Sequence, residues 1–125
     1  MKLVFEDEFT AEDCPNGLPN RSRWGYEHGM VRNHEAQYYT EHNAQCAGGK
    51  LVIAAERVDP SPATGNAQYT SSSLTTTGLH AWQYGLFEMR GKVDVRAGSW
   101  PAWWTLGTHN GWPKGGEVDI MEYYR

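Results

Sequence analysis

A chain of 125 residues is long enough for one domain with an apolar core but short for a large all-β enzyme, so it predicts one domain or part of one. The formal net charge of -4, with no run of Lys or Arg, argues against nucleic acid and anionic membranes as partners. Aromatic residues make up 13% of the chain, which is consistent with a β core, with platforms that stack on sugar rings, or with both.

Short runs rich in Val, Ile, Thr, Tyr and Phe alternate with clusters of Gly, Pro and Asn, and no stretch sustains a helical apolar period. The predicted fold class is therefore all-β. The segment CAGGK at 46–50 is one of the predicted turns, because Gly reaches positive φ. Seven strands at this spacing indicate a sandwich or a barrel. In chain order the predicted strands are Leu3–Phe9, Ala36–Thr40, Lys50–Glu56, Tyr69–Thr76, Gly85–Val93, Trp100–Leu106 and Glu117–Tyr124.

Two features before the middle of the chain bear on the compartment. Cys14 and Cys46 are the only cysteines, too few for a disulfide framework and wrongly spaced for a zinc site, so they predict either one bridge or two free thiols. The opening MKLVFEDEFT has too short an apolar run for a signal peptide, because Glu6, Asp7 and Glu8 interrupt it. No later segment is apolar enough to cross a bilayer.

The last predicted strand lies in GGEVDIMEYYR and carries three acids at uneven spacing. In a regular strand Glu117 and Asp119 would share one face, and Glu122 would point to the other, among aliphatic side chains. Burying a carboxylate there is costly unless it is paired or protonated. A β-bulge near Ile120 and Met121 resets the alternation, so we expect Glu122 to return to the face of the other two acids.

This arrangement permits a specific chemistry. With the bulge, the α-carbons of Glu117 and Glu122 lie ~13 Å apart, at the ~3.3 Å rise of a strand. Side chains that lean towards each other bring the carboxyl groups to about the 5–5.5 Å of a retaining glycosidase. One would attack the anomeric carbon while the other protonates the departing oxygen, with Asp119 between them. The residues alone leave two other interpretations open, a solvated acidic face and a Ca²⁺ site.

The segment WPKGGEVDIMEYY at 112–124 resembles the signature of glycoside hydrolase family 16, the laminarinase and β-glucanase family, in its bulged form. By this resemblance residues 1–125 are the N-terminal part of a family 16 catalytic domain, about half of it, and end just after the catalytic strand. The resemblance continues along the chain in the family's order, with LVFEDEF at 3–9, RNHEAQYYT at 32–40, NAQCAGGKLVIAA at 43–55, YTSSSLTT at 69–76, YGLFEMRGKV at 84–93 and GSWPAWWTLG at 98–107.

The resemblance implies a jelly-roll sandwich of two antiparallel sheets with a concave sugar-binding cleft, of which this chain supplies about half. It implies Glu117 as the nucleophile, Glu122 as the general acid/base and Asp119 as the assisting acid. Aromatic faces cover the C–H side of a pyranose, while amide and guanidinium groups bind its hydroxyls. The positions that match substrate-binding residues of the family are Asn33, Arg90, Trp100, Trp104 and Trp112.

Catalysis in this family needs no cofactor, but many members carry a structural Ca²⁺. The matching positions are Glu8 and Gly49. A further ligand normally lies near the C-terminus of the domain, so we do not expect these residues alone to hold the ion. Glu35 and Glu88 are expected to hydrogen-bond within the sheet rather than take part in catalysis, and Trp103 is expected to fill the core.

The implied activity is that of a retaining endo-glycosidase that cleaves β-1,3 or mixed β-1,3/1,4-glucan by double displacement, secreted or periplasmic in the parent protein. Within the family the alternative is hydrolysis of a marine galactan (agar, porphyran or carrageenan). Outside enzymes the alternative is a non-catalytic carbohydrate-binding or assembly fragment. Half a sandwich exposes apolar faces and strand edges, so the chain alone is expected to be inactive. Its expected partners are a glucan and either a complementary C-terminal chain or a strand-exchanged copy.

Overall fold

The computed structural model describes residues 1–125, which form two compact units, Met1–His80 and Ala81–Arg125. Every regular element is a short strand or a 3₁₀ turn, so the predicted all-β class is confirmed. No helix in the chain has the length and apolar character needed to cross a membrane.

The first unit holds seven short strands and three 3₁₀ helices. The strands pair in small sheets, β1 with β7, β3 with β4, and β6 between β2 and β5. The β2–β6 pair is parallel and the other pairs are antiparallel. The strands are β1 (Gly25–Tyr26), β2 (Gln37–Tyr39), β3 (Ala44–Cys46), β4 (Leu51–Ile53), β5 (Glu56–Arg57), β6 (Tyr69–Ser71) and β7 (Leu74–Thr75), and the 3₁₀ helices are Pro15–Gly17, Glu41–Asn43 and Pro62–Thr64.

The turn between β3 and β4 is the predicted CAGGK turn. Gly48 and Gly49 both have positive φ, and the amide of Ala47 donates to the carbonyl of Lys50 over 2.9 Å. A side chain at either glycine would strain this backbone, which explains why two glycines stand here.

The second unit contains one hairpin of β8 (Ala102–Leu106) and β9 (Glu117–Glu122), paired antiparallel. Both strands were predicted, with slightly wider bounds. Since the sheet has only these two strands, the outer edge of each is unpaired.

Two predicted strands were wrong. Leu3–Phe9 and Gly85–Val93 form no strand, and neither segment has a backbone ladder to a neighbour. Both have the apolar composition of strands, but a strand also needs a hydrogen-bonded partner. Two predicted strands are divided in the structure, Lys50–Glu56 into β4 and β5 and Tyr69–Thr76 into β6 and β7.

The packed interior is thin. The buried apolar residues are Cys14, Ala44 and Ala67, and no large side chain is fully buried. Large apolar side chains are instead exposed along the two unpaired segments, with Val4 70% and Leu86 63% exposed.

A disulfide joins Cys14 to Cys46, so of the two alternatives the sequence left open, the structure has the bridge. Both cysteines line a cavity of about 430 Å³, together with the glycines of the β3–β4 turn. The bridge links Cys14, in the segment before β1, to Cys46 in β3.

We expect replacement of both cysteines by Ser to lower the free energy of unfolding of the natural polypeptide that contains these residues. The bridged cysteines are 32 positions apart, and closing a loop of that length in the unfolded chain predicts a loss of about 4 kcal/mol. Denaturant unfolding of the variant and of the reduced wild type would measure it. Equal stability of the oxidised and reduced wild type would contradict the prediction.

Candidate active site

The loop between β8 and β9 is closed by glycines that bring its two arms together. The amide of Gly107 donates to the carbonyl of Gly116 over 2.9 Å, at the point where the two strands begin to pair. A Cβ at Gly107 would overlap the carbonyl of Gly115, and Gly116 has a φ of +83°. Only glycine fits these positions without strain, and they fix where Glu117 enters the sheet.

The register of the hairpin places the three acids on one face. Glu117 lies opposite Leu106, Asp119 opposite Trp104, and Glu122 opposite Ala102. These partner positions are two residues apart along β8, and opposed residues of an antiparallel pair project to the same side. The three carboxylates therefore share a face.

A bulge makes this arrangement possible. Met121 pairs with Trp103 and Asp119 with Trp104, which leaves Ile120 as the extra residue in β9. The predicted bulge near Ile120 and Met121 is thus confirmed. The opposite face of β9 carries Val118 and Met121, so the carboxylates are kept apart from these two side chains of their own strand.

Two indole groups hold two of the carboxylates. Nε1 of Trp112 donates to Oε2 of Glu117 over 2.6 Å, and Nε1 of Trp100 donates to Oε1 of Glu122 over 2.9 Å. Trp100 also packs its ring against Tyr124 with centroids 5.6 Å apart. Each glutamate thereby has one oxygen fixed by an N–H group, and its second oxygen remains available for chemistry at a substrate.

Comparison with known proteins identifies the family. Residues 28–125 match the family model described as the XgeA-like catalytic GH16 domain. The chain belongs to glycoside hydrolase family 16. It is 40% identical to a β-glucanase of Rhodothermus marinus over 98% of its length, and 37% identical to a glucan endo-1,3-β-glucosidase of Cryptopygus antarcticus over 97%. The laminarinase catalytic domain from Thermotoga maritima MSB8 superposes with a TM-score of 0.85 at 37% identity over 98% of the chain.

These comparisons give the fold class of the family 16 chain as the all-β jelly roll of the laminarinases. They also show that the chain covers only part of each relative. The chain spans 43% and 45% of the two glucanases and 51% of the solved laminarinase domain, so it corresponds to about half of the proteins it resembles.

The other predicted substrate-binding residues of the family 16 chain divide between the two units. In the second unit, Trp104 lies opposite Asp119 on the acid face, and Arg90 is exposed in the segment before β8. Trp103 projects to the opposite face of the hairpin and is half-buried, so its core role stays a prediction. In the first unit, Asn33 is exposed and has a φ of +56°.

Sequence reasoning missed two kinds of contact. It treated Trp100 and Trp112 as stacking platforms and did not predict that their indole N–H groups bind the carboxylates. It also gave Glu35 only a role within the sheet, whereas Glu35 binds the carboxamide of Asn33. The spacing of Asn33 and Glu35 by two residues is the signal that could have suggested the second contact, because such neighbours are within reach of each other.

The predicted calcium ligands both belong to the first unit. Glu8 and Gly49 are exposed, and Gly49 lines the cavity beside the disulfide. The structure brings together no group of three His, Cys, Asp or Glu side chains that could hold a metal ion. Because Ca²⁺ takes six to eight oxygen ligands, one carboxylate and one carbonyl do not make a complete site, and calcium binding stays a prediction.

We expect Trp112→Phe to lower kcat/KM on a glucan substrate by roughly 10- to 100-fold, the value of a hydrogen bond to a charged group. Phe keeps an aromatic ring and removes only the N–H that holds Glu117. Initial rates over a range of laminarin concentrations would measure the effect.

Trp103→Phe is the matched control, since Trp103 lies on the opposite face of the same hairpin. Its rate should stay within about threefold of the wild type once the thermal midpoints show that both variants are folded. Equal loss in the two variants would show that the N–H of Trp112 has no specific role.

Proposed function

We propose that the natural polypeptide containing these residues is a retaining endo-glycosidase that cleaves β-1,3 or mixed β-1,3/1,4-glucan. The observation that carries the proposal is the bulged hairpin, which aligns Glu117, Asp119 and Glu122 on one face. Family membership and the names of the relatives support the glucan substrate. A solvated acidic face needs neither a bulge to keep three acids together nor an indole N–H on two of them.

The first half of the reaction forms a covalent intermediate. The unbonded carboxylate oxygen of Glu117 attacks the anomeric carbon, and the bond from that carbon to the glycosidic oxygen breaks. The N–H of Trp100 donates to Oε1 of Glu122, so in the proposed reaction the other oxygen, Oε2, carries the proton. That proton passes to the departing oxygen, which leaves as the hydroxyl of the released glucan.

The second half returns the enzyme to its initial state. The carboxylate of Glu122 takes a proton from water, whose oxygen attacks the anomeric carbon and releases the Glu117 carboxylate. Asp119 lies between the two glutamates in the register and is the assisting acid of the proposed reaction. Two displacements at one carbon leave the product with the configuration of the substrate.

Proton NMR of the first minutes of laminarin hydrolysis tests this function. The new reducing ends should appear as the β-anomer and convert to the α-anomer only later, by mutarotation. An α-anomer formed first would mean a single displacement and would overturn the mechanism. Parallel assays on barley glucan and agarose test the linkage, and faster hydrolysis of agarose would favour a galactan substrate.

We also propose a complementary polypeptide segment as partner, which supplies the part of the domain present in the relatives and not in this chain. Both outer edges of the β8–β9 hairpin are unpaired, and Val118 on the face opposite the acids is 62% exposed. A two-stranded sheet with one open apolar face is marginally stable by itself.

Residues 1–125 alone are therefore expected to show no hydrolysis of laminarin. Circular dichroism, mass measurement in solution and the laminarin assay on this chain test the expectation. Activity that appears only in a dimer would identify a second copy as the partner, and a folded, active monomer would contradict the proposal.

We further propose that the polypeptide works outside the cytoplasm. The disulfide between Cys14 and Cys46 supports this placement, since such bonds persist in oxidising compartments. Fractionation of the source cells, with detection of the oxidised protein, would test it.

A further inference from the structure

The segment that carries Asn33 is a strained turn. The amide of Glu35 donates to the carbonyl of Arg32 over 3.1 Å, and the two residues between them, Asn33 and His34, have φ values of +56° and +54°. Residues other than glycine rarely adopt a positive φ, although Asn and His tolerate it better than most. Two such residues in a row persist only where the surroundings hold them, and such places are enriched in functional sites.

The carboxylate of Glu35 supplies that hold. Its Oε1 accepts from Nδ2 of Asn33 over 3.2 Å, while its Oε2 accepts from the hydroxyl of Tyr39 over 2.9 Å and from Nε2 of Gln37. Gln37 and Tyr39 are two residues apart in a strand, so they project to the same side, and both donate to Glu35. Gln37 and Tyr39 belong to β2, which pairs with β6, and the carboxylate is thus anchored to a sheet.

Arg32 lies near this carboxylate and interacts with it electrostatically. Its ion pair is with Glu27, whose other oxygen accepts from the hydroxyl of Ser73 over 2.6 Å. Burial and the bond to Glu35 raise the pKa of Tyr39 to about 12, so the phenol keeps its proton at neutral pH and remains a donor.

The consequence concerns the orientation of the Asn33 carboxamide. A carboxylate accepts hydrogen bonds and cannot donate them, so Asn33 must turn its NH₂ group to Glu35. Its carbonyl oxygen Oδ1 is then the end that an exposed side chain offers to a ligand. We propose that Glu35 is a positioning residue, which fixes Asn33 so that Oδ1 accepts a hydrogen bond from a hydroxyl of the glucan.

This inference rests on the proposed function, because it takes the ligand of Asn33 to be a sugar. Glu35→Gln tests it in the natural polypeptide. The amide carbonyl of Gln stays with the two donors Tyr39 and Gln37, and its NH₂ group faces Asn33. The Asn33 carboxamide must then rotate and offer NH₂ in place of Oδ1.

We expect the Kd for laminarihexaose to rise about tenfold to a hundredfold in Glu35→Gln, the effect of replacing an acceptor by a mismatched donor. Calorimetry in the background of an inactive Glu117→Gln variant measures it. On laminarin the same change should raise KM and leave kcat nearly unaltered, because binding is lost equally from the ground state and the transition state.

Restoring the acceptor provides the sharper test. In the double variant Glu35→Gln with Asn33→Asp, one oxygen of the new carboxylate accepts from the NH₂ group of Gln and the other faces the ligand. Its Kd should return to within about fivefold of the wild type. Asn33→Asp alone places two carboxylates side by side and should bind worse than the double variant.

Tyr38→Phe is the matched control, since Tyr38 projects to the side of β2 opposite Gln37 and Tyr39 and its substitution leaves the donors of Glu35 in place. Its Kd should change by less than about threefold. An unchanged Kd in Glu35→Gln, or a double variant no better than Glu35→Gln, would overturn the role of Glu35. A wild-type polypeptide that binds laminarihexaose without hydrolysing it would overturn the proposed function alone. One that does neither would overturn both.

Discussion

Glu117→Gln is expected to reduce kcat on laminarin by roughly 10³- to 10⁵-fold, because the covalent intermediate cannot form without a carboxylate nucleophile. The substitution is conservative in shape. The amide carbonyl can still accept the N–H of Trp112, which bonds to Oε2 in the wild type, so the loop between β8 and β9 keeps its anchor. Steady-state kinetics on the natural polypeptide measure the loss.

Glu88→Gln is the control for the loss of one negative charge, since Glu88 is an exposed glutamate in the same unit and lies outside the hairpin. Its kcat should match the wild type within about twofold. A binding measurement separates loss of catalysis from loss of carbohydrate binding, because Glu117→Gln should no longer hydrolyse laminarin but should still bind laminarihexaose. If hydrolysis survived in Glu117→Gln, the assignment of the nucleophile would be wrong and the acid face would be a binding surface.

The bulge in β9 could be predicted from the sequence because it resolves a local conflict. Regular alternation would have put Glu122 among aliphatic side chains, and the energetic cost of that placement is large compared with the cost of one extra residue in a strand. All the information for this argument lies within six residues of the chain. The register between β8 and β9 confirms it, with Ile120 as the extra residue.

The two strands that were wrong, Leu3–Phe9 and Gly85–Val93, show the limit of such local reasoning. Their residues have the right composition for strands, but a strand exists only when another segment pairs with it. The parallel pairing of β2 with β6 could not be predicted from the sequence either, since the paired residues lie about 30 positions apart and no local signal couples them. Composition predicts which residues favour extended backbone and says nothing about their partners.

The same limit applies within the candidate site. Residue types suggested stacking for Trp100 and Trp112, but the N–H bonds to Glu122 and Glu117 depend on how the loop and the segment before β8 return to β9. Stacking and N–H donation use different parts of one indole, so both roles are compatible. The sequence singled out these two tryptophans as candidates, and the structure shows that the N–H of each indole contacts a carboxylate.

Glu122→Gln should separate the two halves of the proposed reaction. Without a proton donor, the departing glucan oxygen must leave as an alkoxide, so the rate on laminarin is expected to fall by roughly 10²- to 10⁴-fold. An aryl glycoside of a laminari-oligosaccharide with an acidic phenol as leaving group needs no such proton. Its first step should therefore proceed at nearly the wild-type rate.

The second step still needs a base, so on the aryl glycoside the variant should release a burst of phenol equal to the enzyme concentration and then turn over slowly. Rapid-mixing absorbance measurements would detect that burst. Trp100→Phe should have a rate on laminarin between those of the wild type and Glu122→Gln. It keeps the carboxyl group of Glu122 and removes only the N–H that fixes its Oε1. If Glu122→Gln lost the burst as well as the turnover, Glu122 would be needed to form the covalent intermediate. The assignment of Glu117 as nucleophile and Glu122 as acid/base would then have to be reversed.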